Sequence, residues 1–162
     1  MLTSEPSTGW DSVYASHQSH QVTMYYPMRV VRTRRYKLIQ NINYRAPFPI
    51  DLDFSVSATF LDLLNRTEHG EPTHWFSTLH KYYYRDPFEL FDLETDPHEL
   101  RNLYNETQYA PVMHDLLRSL KKWQEVTNDP WICDPYGVLT HDGKCHRLDN
   151  GLPTPAPLRH EL

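Results

Sequence analysis

Five basic residues fall within nine positions of one another, at Arg29, Arg32, Arg34, Arg35 and Lys37. A guanidinium fork matches the oxygens of a sulfate or a carboxylate, so one reading of this cluster is an anion clamp. The other is pairing across strands with Asp86, Glu89, Asp92, Glu94 and Asp96. Pairing is the expectation for 32–37. Arg29 follows Tyr-Tyr-Pro at a predicted strand start, and both readings stay open for it: substrate contact from a cleft edge, or a structural role. His17 and His20 are spaced like a metal pair, but no third ligand has a suitable spacing, and no metal site is expected. Cys133 and Cys145 lie 12 positions apart in a loop containing Pro and Gly. They are read as a disulfide bonded or poised to bond, worth roughly 2–4 kcal/mol, or else as two unrelated thiols.

Two sequons, Asn65-Arg66-Thr67 and Asn105-Glu106-Thr107, are expected at surface turns and suggest glycosylation of Asn65 and Asn105. The N-terminus shows neither a basic region nor an apolar core of the kind found in leader peptides. The sequons and the cysteines point to the secretory pathway, so a leader upstream of Met1 is the expectation. A net charge of −5 argues against a nucleic-acid coat, and no apolar run is long enough to span a membrane.

With 162 residues the chain can build one domain with a real core, and 11 Tyr and 4 Trp suggest that aromatic plates fill it. Residues 1–20 read as a polar tail, 21–148 as the domain and 149–162 as a Pro-rich tail. A β-rich run at 22–26 is expected to stop at Pro27. A hairpin follows, with arms over 28–32 and 36–42 and a turn at Thr33-Arg34. Ser57 can N-cap a short helix through Leu64 that buries Phe60, Leu61 and Leu64. A second short helix is predicted over 73–81 and a strand over 88–93. The longest helix should start after Thr107 with Pro111 in its first turn, where the missing N–H costs little. Met113, Leu116, Leu117, Leu120 and Trp123 then form one apolar stripe. Strands followed by a long amphipathic helix, without β-α-β alternation, predict an α+β fold: a small antiparallel sheet of three or four strands with the helix across one face. The opposite face is expected to leave a patch exposed.

The segment Phe88–Leu103 combines a short strand, a turn at Asp96-Pro97-His98-Glu99 and an Asn102-Leu103 exit. It resembles the signature near the C-terminus of the sulfatase family. The segments at 23–29, 47–51, 59–67, 82–85 and 129–133 extend the resemblance from about Ser19 to Leu148. They favour the branch of the family that removes N-linked sulfate from the glucosamine of heparan sulfate in the lysosome. The resemblance implies a sulfatase C-terminal domain. It also implies a hydrolase whose formylglycine arises from a Cys-x-Pro-x-Arg motif and whose Ca²⁺ is held by Asp and Asn side chains. Neither cysteine here fits that motif, since Cys133 precedes Asp134-Pro135-Tyr136 and Cys145 precedes His146-Arg147. No catalytic residue is therefore expected in this chain. The nucleophile and metal are assigned to an N-terminal sulfatase domain, a partner outside it. A homodimer is a further implication. The segment before Val22 lies near the domain junction in the resembling family, which makes His20 a candidate pocket-edge residue beside Arg29. The competing reading is a free-standing, non-catalytic module that binds a glycan or a protein.

Overall fold

The computed structural model describes residues 11–20 and 24–147. The predicted tail at 149–162 and the start of the predicted run at Val22-Thr23 lie outside them. Four strands form one antiparallel sheet in the order β1 (Ser12–Ser19), β2 (Tyr25–Thr33), β3 (Tyr36–Asn41), β4 (Phe88–Asp92). Three short helices, α1 (Leu52–Ser55), α2 (Ala58–Glu68) and α3 (Leu79–Tyr83), interrupt the path from β3 to β4. The long helix α4 (Ala110–Val126) follows, and a hairpin of β5 (Gly137–Leu139) and β6 (Cys145–Arg147) comes last.

The expected layer is present. Val31, Leu38 and Leu90 project from the sheet onto Met113, Leu116 and Leu120 of α4, with Leu103 closing the cluster. Leu117 and Trp123 pack beside it, half-buried. Each fully buried aliphatic side chain of this cluster contributes about 1.5–3 kcal/mol by leaving water. Pro111 occupies the first turn of α4, after a 3-10 turn over Thr107–Tyr109.

Two expectations about the strands need correction. Residues 12–19 are the edge strand β1 and not a tail. Their polar composition hides one apolar anchor, Tyr14, which stacks on Trp123 at 5.4 Å and shares a 2.6 Å hydrogen bond with Ser119. An edge strand exposes most of its side chains, so it carries little hydrophobic signal. Pro27 does not stop the second strand either. It falls where the β1–β2 register shifts, between the pairs Ser19↔Tyr25 and His17↔Met28. Its missing N–H therefore breaks no ladder bond there, while its carbonyl accepts from Ile42 at 3.0 Å. The β2–β3 turn is Arg34-Arg35, one position beyond the expected turn, with the Thr33 hydroxyl accepting the Tyr36 N–H at 2.9 Å.

The helices show a similar mixture. Ser57 caps α2 as predicted, accepting from the Phe60 N–H, and Phe60 is buried. Leu61 and Leu64 are exposed, contrary to expectation. The reason is that α2 packs against an aromatic cluster outside the sheet core, so a narrower face is covered. In that cluster Phe54 meets Phe60 at 5.1 Å, and Tyr82 meets both Phe48 and Trp75 at 5.9 Å. The helix predicted over 73–81 begins later, at Leu79, where Thr78 caps it by accepting the Lys81 N–H.

The Asp-Pro-x-Glu and Asn-Leu signature turns out to be a stitch. The Asn102 amide oxygen accepts the N–H groups of Leu90 and Tyr104, at 2.9 and 3.1 Å. Its amide nitrogen donates to the Phe88 carbonyl and to Asp86, both at 3.0 Å. One side chain thereby satisfies β4's outer edge and aims the chain toward α4, and Leu103 follows it into the core. Asp96 holds the preceding turn by accepting the Arg101 N–H at 2.8 Å.

Side chains alternate across a strand, so the sheet has a second face, to which Val13, Ala15, Met28, Val30, Ile39 and Phe91 belong. At one end the aromatic cluster covers it, with Tyr26 edge-on to Phe48 at 5.0 Å. At the other end it is open: Val13 is 56% exposed, Ala15 and Arg32 are exposed, and Val30 and Ile39 are half-buried.

Candidate functional site

Arg29 sits on the α4 side of β2 and is 1% exposed. The turn after α4, where Asn128 takes a left-handed φ of 51°, brings Asp129 back beneath the sheet. The Arg29 Nε donates to Asp129 Oδ2 at 2.6 Å and Nη2 donates to Oδ1 at 2.7 Å. Nη1 donates to the carbonyls of Met28 and His17, at 2.9 and 3.2 Å. Asp129 also accepts from Gln124 Nε2 at 2.9 Å and from the Trp131 N–H at 3.1 Å. Burial pushes the Asp129 carboxyl upward, but the hydrogen bonds from Arg29, Gln124 and Trp131 outweigh it. The carboxyl lies below the ordinary value of 3.8. The guanidinium is thus engaged on all sides, and the expectation that Arg29 reaches a substrate from a cleft edge is corrected: in this chain it locks β1, β2 and the end of α4 together.

Of the rest of the basic cluster, Arg35 and Lys37 pair, with a small change of partners, while Arg32 and Arg34 are exposed. Arg35 Nη2 lies 2.8 Å from Asp92 Oδ2, and Arg35 Nε lies 3.4 Å from Glu94. Lys37 Nζ is 2.6 Å from Glu99, which was not among the expected acids. Asp92 is fully buried. Hydrogen bonds from Arg35 hold its carboxyl below the ordinary range, against the opposing effect of burial.

His20 stands apart from Arg29 and shares no partner with it. It follows β1 directly, its side chain is 67% exposed, and its Nε2 lies 3.9 Å from Asp51, the N-cap of α1. Cys133 and Cys145 are bonded, with Cα atoms 5.3 Å apart. The bridge ties the post-α4 turn to the β5–β6 hairpin, and Lys121 of α4 donates to the Ile132 carbonyl at 2.8 Å beside it. Behind the bridge, burial first and the nearby Asp129 charge second push the Asp134 carboxyl up. Asn105 lies in an exposed turn as expected, whereas Asn65 lies on the exposed side of α2 and not in a turn. Among the described residues, no group of three or more His, Cys, Asp or Glu is placed to hold a metal ion.

Sequence reasoning missed Asp129 as the partner of Arg29, 100 positions away. The only local hint was the turn-forming run Asn128-Asp129-Pro130 after a helix. It also missed Asn102 as the residue that organises the β4 exit, although the residue lay inside the quoted motif.

Residues 64–126 match the family model of the C-terminal domain of N-sulphoglucosamine sulphohydrolase. Human N-sulphoglucosamine sulphohydrolase is 48% identical over 153 residues, which are 93% of this chain and 30% of that protein. An ulvan-active sulfatase from Formosa agariphila is 29% identical over 107 residues, 63% of this chain and 17% of its own. The solved structure of a 2-O GAG sulfatase superposes with a TM-score of 0.49 at 16% identity, over 78% of this chain and 19% of its own. The chain spans about 30% of the length of the human relative it matches, and it is homologous to the C-terminal region of the sulfatases.

Proposed function

We propose that this chain forms the C-terminal part of a sulfohydrolase that removes N-linked sulfate from glucosamine residues of heparan sulfate. The observation that carries this reading is the 48% identity to human N-sulphoglucosamine sulphohydrolase across 93% of the chain. In this reading the chain supplies scaffold and part of a pocket rim. The formylglycine nucleophile and the Ca²⁺ come from an N-terminal sulfatase domain. That domain rests against the open end of the second sheet face, whose Val13, Val30 and Ile39 side chains are otherwise left at the surface. His20, exposed at the end of β1 and steered by Asp51, is the rim residue that remains free to meet a ligand. The parent protein works in the lysosome, carries glycans at Asn65 and Asn105, and pairs with a second copy of itself.

The test is a chimera in which this chain replaces the corresponding segment of the human relative, assayed on an N-sulfoglucosamine-terminated oligosaccharide. His20→Ala in that chimera should raise KM several-fold with little change in the unfolding midpoint. Unchanged kinetics would remove His20 from the rim.

A further inference from the structure

Helices α1, α2 and α3 and the Thr73–Trp75 loop line an open pocket of about 380 Å³ that none of the roles above uses. Its volume lies at the lower end of ligand sites, which run to roughly 300–1,000 Å³. Four aromatic rings, those of Phe54, Phe60, Trp75 and Tyr82, build the wall. Trp75 and Tyr82 lie 5.9 Å apart at 59°, and Phe54 lies 6.3 Å from Tyr82 at 38°. Against that wall stand the short polar side chains of Thr59 and Thr73, together with Asp62 and His74. His74 adopts a φ of 56°, a left-handed backbone that a non-glycine residue seldom takes. The Thr73 hydroxyl accepts the Trp75 N–H at 3.4 Å, which sets the loop's turn.

The charge of the lining selects the ligand. No Lys or Arg lines the cavity among the described residues. Arg66 approaches it only through Asp62, whose Oδ2 accepts the Arg66 Nε–H at 2.8 Å. A sulfate or carboxylate would thus meet a carboxylate and π faces, with no cation to neutralise it. A neutral ring with one apolar face and one rim of hydroxyls fits: its C–H face lies on an aromatic plane, and its hydroxyls donate to Asp62 and exchange hydrogen bonds with the threonines. We propose that this cavity is a subsite for a neutral hexopyranose, and that an N-acetylhexosamine, whose methyl group can lie against Phe60 and Leu79, is the preferred form. The proposal goes beyond the function argued above, whose substrate is anionic.

The 162-residue chain, labelled with ¹⁵N, can be titrated with methyl N-acetyl-β-glucosaminide, methyl α-mannoside and N-sulfoglucosamine. The expected result is a saturable shift of the Trp75 indole N–H with a Kd of about 1–10 mM for the N-acetylated sugar. The N-sulfated sugar should bind about tenfold more weakly or worse. Trp75→Ala should abolish the shift elsewhere in the cavity. Asp62→Asn, on the exposed side of α2, keeps the shape of the site and should weaken binding several-fold with the fold intact, so it decides the matter even if Trp75→Ala fails to fold. A preference for the mannoside over the N-acetylated sugar would overturn the N-acetylhexosamine assignment. No shift at about 50 mM of any sugar, equal or tighter binding of the N-sulfated sugar, or full binding by Asp62→Asn would overturn the subsite itself. None of these outcomes depends on sulfohydrolase activity.

Discussion

The Arg29 guanidinium and the Asp129 carboxylate, 100 positions apart, form a two-pronged ion pair with bonds of 2.6 and 2.7 Å in an almost fully buried setting. The pair is where the strand that begins the sheet's centre meets the end of the helix that covers it. Removing one partner leaves the other charge buried without compensation. Arg29→Ala should therefore destabilise the chain by about 3–5 kcal/mol. The paired change Arg29→Met with Asp129→Leu should recover most of that loss, because no charge is left stranded. Urea unfolding of the parent chain and the two variants measures both effects. A single variant within about 1 kcal/mol of the parent would show that the pair does not lock the fold.

The same pair sets a pH limit. Asp129 and Asp92 both have folded-state carboxyls below the ordinary 3.8. Each contributes stability that is fully present above the unfolded value and is lost as pH falls through the folded one. Stability should thus hold through mildly acidic conditions and fall only once the pH drops below about 4. Asp129→Asn should flatten that acidic slope and lower the plateau above it. An unchanged slope would contradict the assignment.

Asp134 has the opposite sign. Burial raises its carboxyl, so folding favours the protonated form. The cost of holding it ionised appears as pH rises from the unfolded value through the folded one, and it is complete above that. Asp134→Asn should stabilise the chain at neutral pH and have no such effect in acid. Thermal melts at two pH values decide this, and a gain that is equal at both would rule it out.

The Cys133–Cys145 bridge closes a small loop against α4. Replacing both cysteines with serine should cost about 2–4 kcal/mol. Hydrogen exchange should show the loss concentrated in residues 131–147, with the β1–β4 sheet keeping its protection. Uniform loss across the sheet would mean that the loop is part of the main cooperative unit.

Much of the layer was legible because its signals are local. The stripe from Met113 to Trp123 repeats with the helical period, Ser57 is a capping residue, and the β2–β3 hairpin alternates in the usual way. What stayed hidden depends on distant partners. Nothing near Arg29 in the sequence reveals Asp129, so a buried structural arginine could not be told from a ligand-binding one. Edge strand β1 gives almost no hydrophobic pattern because Tyr14 is the side chain it sets against the sheet–helix core. The faces of α2 were misjudged because its neighbours are the aromatic rings of α1 and α3, which contact order along the chain does not announce. The pocket between those helices was invisible for the same reason.

Sulfate release tests most directly the proposal that this chain is the C-terminal part of an N-sulfoglucosamine sulfohydrolase whose nucleophile lies elsewhere. The purified 162-residue chain, supplied with Ca²⁺ and the formylglycine-generating enzyme, should release no sulfate from an N-sulfoglucosamine substrate, because neither cysteine lies in a Cys-x-Pro-x-Arg motif. The chimera that joins it to the N-terminal part of the human relative should release sulfate from the same substrate. Turnover by the chain alone, or a folded chimera that shows none, would contradict the account.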